Sequence, residues 1–265
     1  MFLDPKDIII RHWLIGAMIE MTIHEMISLN ASGDFEVEIT GTSHARTALI
    51  FVHGFGVKRD SRGMFTEIEA SLANTMLSVR AEFSEVFPDS CNALAFSIQR
   101  QRLGIITDYV QDKLNIDKFI YIGHSQGCLT IGLEQPRDSQ IILLAPPVES
   151  PFEAFIRTPG WCQRGSQLDI QGYSRLQRSD LVINVNPIFW DEFKQIDAKS
   201  TYSILNQQNE VTMIFGGNDD VLGKQAYLPE IKAYTIEDAD HDFTGCSRNE
   251  LLRIIAQLIR DNTTK

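Results

Sequence analysis

Gly123-His124-Ser125-Gln126-Gly127 has the G-x-S-x-G spacing of a serine held on a tight strand-to-helix turn. It directly follows the apolar run 118–122 (KFIYI) and directly precedes a helix-compatible stretch, 128–134 (CLTIGLE). On such a turn the flanking glycines let the backbone bend and approach closely, and the helix N-terminus favours developing negative charge. The chemistry these residues could do is nucleophilic attack by Ser125, which requires a positioned base to take its proton. The bland alternative is a glycine turn carrying an incidental serine.

His53-Gly54-Phe55-Gly56 follows a second apolar run, 47–52 (TALIFV). A glycine-bearing turn there could aim a backbone N–H at the space above Ser125. Acyl transfer needs two such donors on its tetrahedral oxyanion, and they are expected from Phe55 N–H and Gln126 N–H. The chain has six histidines, His12, His24, His44, His53, His124 and His241. Around an elbow of this kind the order runs serine, acid, histidine, and only His241 lies beyond Ser125. His241 sits in the polar loop 237–243 after the strand-like 232–236 (KAYTI), so it is the expected general base. The acid must orient the imidazole. After the run 211–215 (VTMIF) come Asp219 and Asp220, and Asp240 adjoins the histidine, so the residues alone leave more than one carboxylate. Those not used, with Asp238 and Asp242, read as solvated acidic surface.

The elements that must hold these groups alternate. Strand patterns fall at 35–40, 47–52, 118–122, 140–144, 211–215 and 232–236; helical spacing marks 64–76, 98–114 and 251–259. Strands alternating with helices predict a parallel sheet wrapped on both sides. Between Pro146-Pro147 and about Leu205 no clean buried strand is evident, yet Phe152, Phe155, Trp161, Tyr173, Phe189, Trp190, Phe193 and Tyr202 crowd there. A structureless loop of that size is improbable, so an inserted cap is expected, the bland alternative being an ordinary helical excursion whose aromatics pack on the sheet.

With 265 residues, 43% hydrophobic, one large domain is affordable. Lys+Arg 24 against Asp+Glu 35 gives a net charge of −11, which disfavours a nucleic-acid partner and adsorption to anionic membranes. The four cysteines, Cys91, Cys128, Cys162 and Cys246, lie far apart with no metal-ligand spacing and read as buried thiols. The apolar N-terminal stretch, Ile8-Ile9-Ile10 and then 13–18, is interrupted by Arg11 and His12 and is too short to span a bilayer. Asp4 and Asp7 spoil a basic leader; an amphipathic helix or untidy leader is expected, and a cytoplasmic protein without stable membrane insertion.

HGFG at 53–56, GHSQG at 123–127, GGNDD at 216–220 and DADHDF at 238–243 together resemble the α/β-hydrolase superfamily from about residue 35 to 260. The stretch HGFGVKRDSRGMFTEIEASL is similar to small serine esterases of the cinnamoyl/feruloyl type and to acylaminoacyl-peptidase-like relatives. These relatives carry an aromatic Phe-Trp pair in a cap before the acid strand, as Phe189-Trp190 does here. The resemblance places the acid three residues after Gly216 and so favours Asp219 over Asp220. One departure is visible: where such proteins carry an Asp-x-x-Gly-x-Gly loop, this chain reads EFSEVFPD over 82–89, with no glycine. The expectation is a single α/β-hydrolase domain, with its core at about 35–146 and 206–265, a cap at 147–205, and an N-terminal extension, 1–30, of unassigned role. The implied activity is metal- and cofactor-independent hydrolysis of a small-molecule carboxylic ester by Ser125, His241 and Asp219 through an acyl-enzyme. The alternatives are a thioesterase or serine peptidase with the same triad, or a catalytically silent receptor on this fold. Oligomeric state stays open.

Overall fold

A run of consecutive apolar residues can be buried only if both faces of its element are covered. The computed structural model describes residues 8–11, 23–29, 33–42, 44–72, 76–157, 164–178 and 181–263, and its central strands are covered in this way. In β4 (Thr47–Val52), Ala48, Ile50 and Val52 enter one core while Leu49 and Phe51 enter another. β8 (Lys118–His124), β9 (Gln140–Leu144) and β12 (Glu210–Gly216) divide their side chains likewise. The first core is closed by α2 (Phe96–Leu114), α3 (Gln126–Glu134) and α6 (Ala198–Gln208). The second is closed by α1 (Met64–Ser71) and α7 (Cys246–Thr263).

With β1 (Ile8–Arg11), β2 (Ile23–Leu29), β3 (Gly33–Gly41), β5 (Leu77–Ala81) and β13 (Lys232–Ile236), the described strands form a nine-stranded sheet ordered β1-β2-β3-β5-β4-β8-β9-β12-β13. From β5 to β13 every pairing is parallel; β1, β2 and β3 are antiparallel additions. The expected fold class, a mostly parallel sheet with helices on both faces, is therefore observed. Its consequence is positional. The C-terminal ends of β4, β8, β12 and β13 lie along one edge, so the loops that begin at His53, Ser125, Gly217 and Glu237 gather there.

Several local expectations are corrected. The N-terminal apolar stretch begins with a strand, β1, paired to β2 further along, where an amphipathic helix or untidy leader was expected; residues 13–18 lie outside the described residues. α1 stops at Ser71, and Leu72 is extended (φ −100°, ψ 148°), short of the predicted end at Met76. The segment 147–205 does contain strands, β10 (Ser174–Gln177) and β11 (Val182–Val185). They join β6 (Ser84–Val86) and β7 (Ser90–Ala93) in a second sheet ordered β10-β11-β7-β6, with β11 parallel to β7. The glycine-free departure at 82–89 thus begins a hairpin that supports the inserted segment. Among the described cysteines, Cys91 and Cys128 are buried free thiols, but Cys246 is exposed; Cys162 lies outside the described residues.

The aromatic residues of the inserted segment make a ring cluster. α5 (Pro187–Phe193) starts with proline in its first turn and is capped by Asn186 Oδ1, which accepts the Phe189 N–H at 2.9 Å. It buries Phe189, Trp190 and Phe193, and the last two pack against Phe155 of α4 (Pro151–Arg157). Phe189 also stacks on Phe96 of α2 at 5.3 Å. Among the described residues no helix is long and apolar enough to cross a membrane, and no cluster of His, Cys, Asp and Glu could hold a metal ion.

Candidate active site

Ser125 stands between β8 and α3, as the N-cap of the helix, with φ 53° and ψ −121°, a conformation that side-chain-bearing residues rarely adopt. Its N–H donates to the Leu144 carbonyl of β9 at 2.8 Å, and its carbonyl accepts the Cys128 N–H at 3.0 Å. The turn is tight enough to require glycine at 127: a Cβ there would lie 2.1 Å from the Val52 carbonyl oxygen and 2.7 Å from that of His53. Gln126 is the first residue of α3, so no carbonyl within the helix can accept its N–H. Its side chain is turned away to Gln99 of α2, 3.2 Å from Nε2 to Oε1.

The imidazole of His241 lies between Ser125 and Asp219. Its Nε2 is 2.9 Å from Ser125 Oγ, and its Nδ1–H donates to Asp219 Oδ2 at 2.8 Å. Both partners of this last pair are nearly dry, with side chains 9% and 5% exposed. Asp219 Oδ1 accepts the N–H groups of Val221 at 2.9 Å and Leu222 at 2.7 Å. Burial pushes the Asp219 carboxyl up, but the imidazole and these two N–H donors outweigh it and hold the group below the ordinary carboxylate range. Asp220 is exposed, and Asp240 accepts from Thr244 N–H at 2.8 Å, so neither faces His241.

Loop 53–56 sits against the serine: a Cβ on Gly54 would be 3.1 Å from Ser125 Cβ. His53 fixes that loop. Its buried ring donates from Nδ1 to its neighbour's carbonyl, Gly54 O, at 2.9 Å, and accepts the Phe83 N–H at Nε2 at 2.8 Å. Burial lowers its pKa despite Glu82 nearby. Phe55 lies against Phe155 (ring centroids 5.0 Å) and Phe189 (5.5 Å), so its side chain faces the inserted segment.

One residue inside the motif does more than its sequence position suggests. The ring of His124 is buried and donates from Nε2 to the His241 carbonyl at 3.0 Å, while Nδ1 accepts from Ser61 Oγ at 2.9 Å. It therefore joins the serine turn to the histidine loop. Burial, and then the charge of His241, lower its pKa to about 4, so it is held neutral. Asp242, expected on a solvated surface, is instead ion-paired with Arg62 and 3.8 Å from His124 Nε2. No feature of residue type or spacing marks Ser61, Arg62 or Asp242; proximity alone brings them in.

The cleft has two lobes that meet at Ser125. One is apolar, walled by Leu129, Pro147, Pro151, Phe155, Phe193 and Leu222. The other is polar, walled by Arg62, His124, Arg178, His241 and Asp242. Phe55 and Val221 stand at both.

No family model and no curated protein matches this sequence. Solved structures do match in three dimensions. Est1E from Butyrivibrio proteoclasticus superimposes with a TM-score of 0.69 at 16% identity over 91% of this chain and 99% of that one. The esterase domain of a Rhodothermus marinus protein gives 0.65 at 13% identity, covering 92% and 99%. An alpha-beta serine hydrolase homologue from Coxiella burnetii gives 0.54 at 14%, again covering 92% and 99%. These likenesses span nearly the whole of each chain, and they agree with the parallel sheet flanked by helices: the chain has the α/β-hydrolase fold and resembles in structure esterases of the Est1E type.

Proposed function

We propose that the protein is a serine hydrolase that cleaves carboxylic esters through an acyl-enzyme. The observation that carries this reading is the unbroken hydrogen-bonded row from Ser125 Oγ through the His241 imidazole to the Asp219 carboxylate. Ser125 Oγ attacks the acyl carbon while His241 Nε2 takes its proton, and Asp219 stabilises the imidazolium. The N–H groups of Phe55 and Gln126 donate hydrogen bonds to the oxyanion, each donor of this kind contributing about 100- to 1,000-fold in rate. When the tetrahedral adduct collapses, His241 returns the proton to the leaving alkoxide. A water then attacks the acyl-serine with His241 again as base, releasing the acid and restoring the Ser125 hydroxyl.

His241 must protonate the leaving oxygen, so the alcohol occupies the lobe that His241 walls and the acyl group occupies the apolar lobe. An apolar or aromatic acyl group suits that lobe; Est1E has been solved with ferulic acid bound. Residues 147–205 act as a cap, supplying Pro147, Pro151, Phe155 and Phe193 to the acyl side and Arg178 to the other. The test is covalent labelling by a fluorophosphonate probe. Wild type is labelled and Ser125→Ala is not; an unlabelled but folded wild type overturns the proposal in favour of a silent receptor.

A further inference from the structure

Among the described residues, side chains hold all three carbonyls of loop 241–243, which carries the proposed base. Arg248 of α7 donates to Asp242 O at 2.8 Å and to Phe243 O at 3.1 Å. His124 Nε2 donates to His241 O at 3.0 Å. Arg248 thus anchors the part of the loop that runs on toward α7, whereas His124 grips the residue that bears the imidazole. His124 is also the covalent neighbour of Ser125. Residues 124 and 125 therefore meet His241 at two points, Ser125 Oγ against the ring at 2.9 Å and the His124 ring against the main chain. Asp219 sets the direction of the imidazole; His124 holds the backbone from which it hangs.

His124 can make that bond in one state only. Facing a carbonyl, Nε2 must carry the proton, so in the neutral ring Nδ1 is bare and must accept. Ser61 Oγ supplies the donor at 2.9 Å. It is brought there by three successive residues of left-handed backbone, Ser61 at φ 45°, Arg62 at φ 59° and Gly63 at φ 88°. For Ser61 and Arg62 such a conformation persists only where the surroundings over-determine it. Besides His241, the charged groups beside the ring are Asp242, 3.8 Å from Nε2, and its ion-pair partner Arg62. Burial, and then the charge of His241, keep His124 neutral.

From this geometry we infer that His124 is a positioning residue for the base: held in one tautomer by Ser61, it fixes the main chain of His241 and so the reach of Nε2 to Ser125 Oγ. The inference deepens the serine-hydrolase reading and rests on it. The pattern G-x-S-x-G tolerates any residue before the serine, so the motif does not demand this role.

Two amides at position 124 separate the two ends of the ring. The amide nitrogen of glutamine reaches the place of Nε2, and that of asparagine stops at the place of Nδ1. His124→Gln should therefore keep the bond to His241 O, while His124→Asn keeps a partner for Ser61 alone. Acylation and deacylation both use the base, so a displaced imidazole lowers kcat and leaves KM nearly alone. For p-nitrophenyl acetate at pH 8, kcat of His124→Asn and of His124→Leu should fall about 10- to 100-fold, the scale of a misplacement of about 1 Å. His124→Gln should stay at least about fivefold above His124→Asn, and Ser61→Ala should fall between wild type and His124→Asn. In proton NMR, the far-downfield signal of the proton between His241 Nδ1 and Asp219 should persist in His124→Gln and shift or broaden in His124→Asn. Equal kcat in the two amide variants, a loss carried by KM, or an unmoved NMR signal in His124→Asn overturns the inference. If the variants fail to fold, the ring nitrogens of isotope-labelled histidine in wild type decide. At pH 8 His124 should carry its proton on Nε2, and a proton on Nδ1 or a charged ring overturns the inference. Fluorophosphonate labelling runs alongside. Labelled wild type with equal amide variants removes only the role of His124; unlabelled but folded wild type removes the reading beneath it as well.

Discussion

Replacing Asp219 by asparagine exchanges one oxygen for an NH2 group without changing the shape of the side chain, and the local hydrogen bonds dictate which way the amide must turn. Oδ1 accepts two backbone N–H groups, from Val221 and Leu222, while among the described residues Oδ2 accepts only the imidazole N–H. An amide has a single oxygen, and two fixed donors claim it. The NH2 then faces His241 Nδ1, two donors cannot oppose one another, and Nδ1 must become the acceptor. The ring proton moves to Nε2, 2.9 Å from Ser125 Oγ, where it donates to the hydroxyl and can no longer take its proton. A wrong tautomer in such a row costs about 10,000-fold in turnover, or about 5 kcal/mol of transition-state stabilisation. Stability should barely change, because both backbone N–H groups and the ring nitrogen keep a partner. Asp220 is exposed, so Asp220→Asn should stay within about twofold of wild type. The assay is kcat/KM for p-nitrophenyl acetate at pH 8, with thermal unfolding on the same samples. A folded Asp219→Asn that keeps more than about a tenth of the activity refutes the argument, as does an equal loss in Asp220→Asn.

Gly127→Ala would drive a Cβ to 2.1 Å and 2.7 Å from two backbone carbonyls that cannot rotate aside, so it should destabilise the fold by about 3 kcal/mol and displace Gln126. An unchanged urea midpoint would show the elbow to be looser than its geometry implies. Acid should weaken the fold through His124 and His53, which burial keeps neutral. Their folded-state pKa values lie below the ordinary 6.5, so the unfolded chain takes up protons first and stability falls as pH drops below about 6.5. With His124 at about 4, this group alone costs about 2 kcal/mol by pH 5. Urea unfolding at pH 7 and pH 5 measures it, and His124→Gln should flatten the difference; equal midpoints in wild type contradict the assignment.

How much could be read in advance depended on whether a residue's place followed from the chain or from packing. His241 was legible because it is the single histidine beyond Ser125, and its loop follows a strand. Asp219 and Asp220 are neighbours of identical type, so residue type and position leave both open, and the resemblance favours Asp219. The physical reason lies in the loop geometry, where two N–H groups from Val221 and Leu222 turn that carboxylate inward. The central strands were legible because both faces are covered and their apolar runs are unbroken. β5 was not, because Arg80 interrupts it; that buried guanidinium is paired with Glu38 and Glu69. β10 and β11 were missed for a related reason. They are four residues long, and polar Asn184 alternates with buried Ile183 and Val185, bonding Asn92 of β7 across the small sheet. His124 bridges two loops through ring atoms that no spacing pattern encodes.

The residues proposed to break the bond and the inserted residues that wall the cleft are thus held by different parts of the fold. Ser125, Asp219 and His241 stand just beyond the C-terminal ends of parallel strands, whose register brings any serine, acid and histidine in this order to one edge. The wall that includes Arg178 is carried by a different unit: a glycine-free segment forms the β6–β7 hairpin, β7 takes β11 as a parallel neighbour, and Gly56 leaves space for Ile183. A change in the hairpin can therefore move this wall of the cleft without disturbing the row from Ser125 to Asp219. That separation explains why the row could be anticipated from motifs while the cleft's walls needed the contacts: the first is set by the order of strand ends, the second by a small sheet of short strands in which polar residues alternate with buried ones.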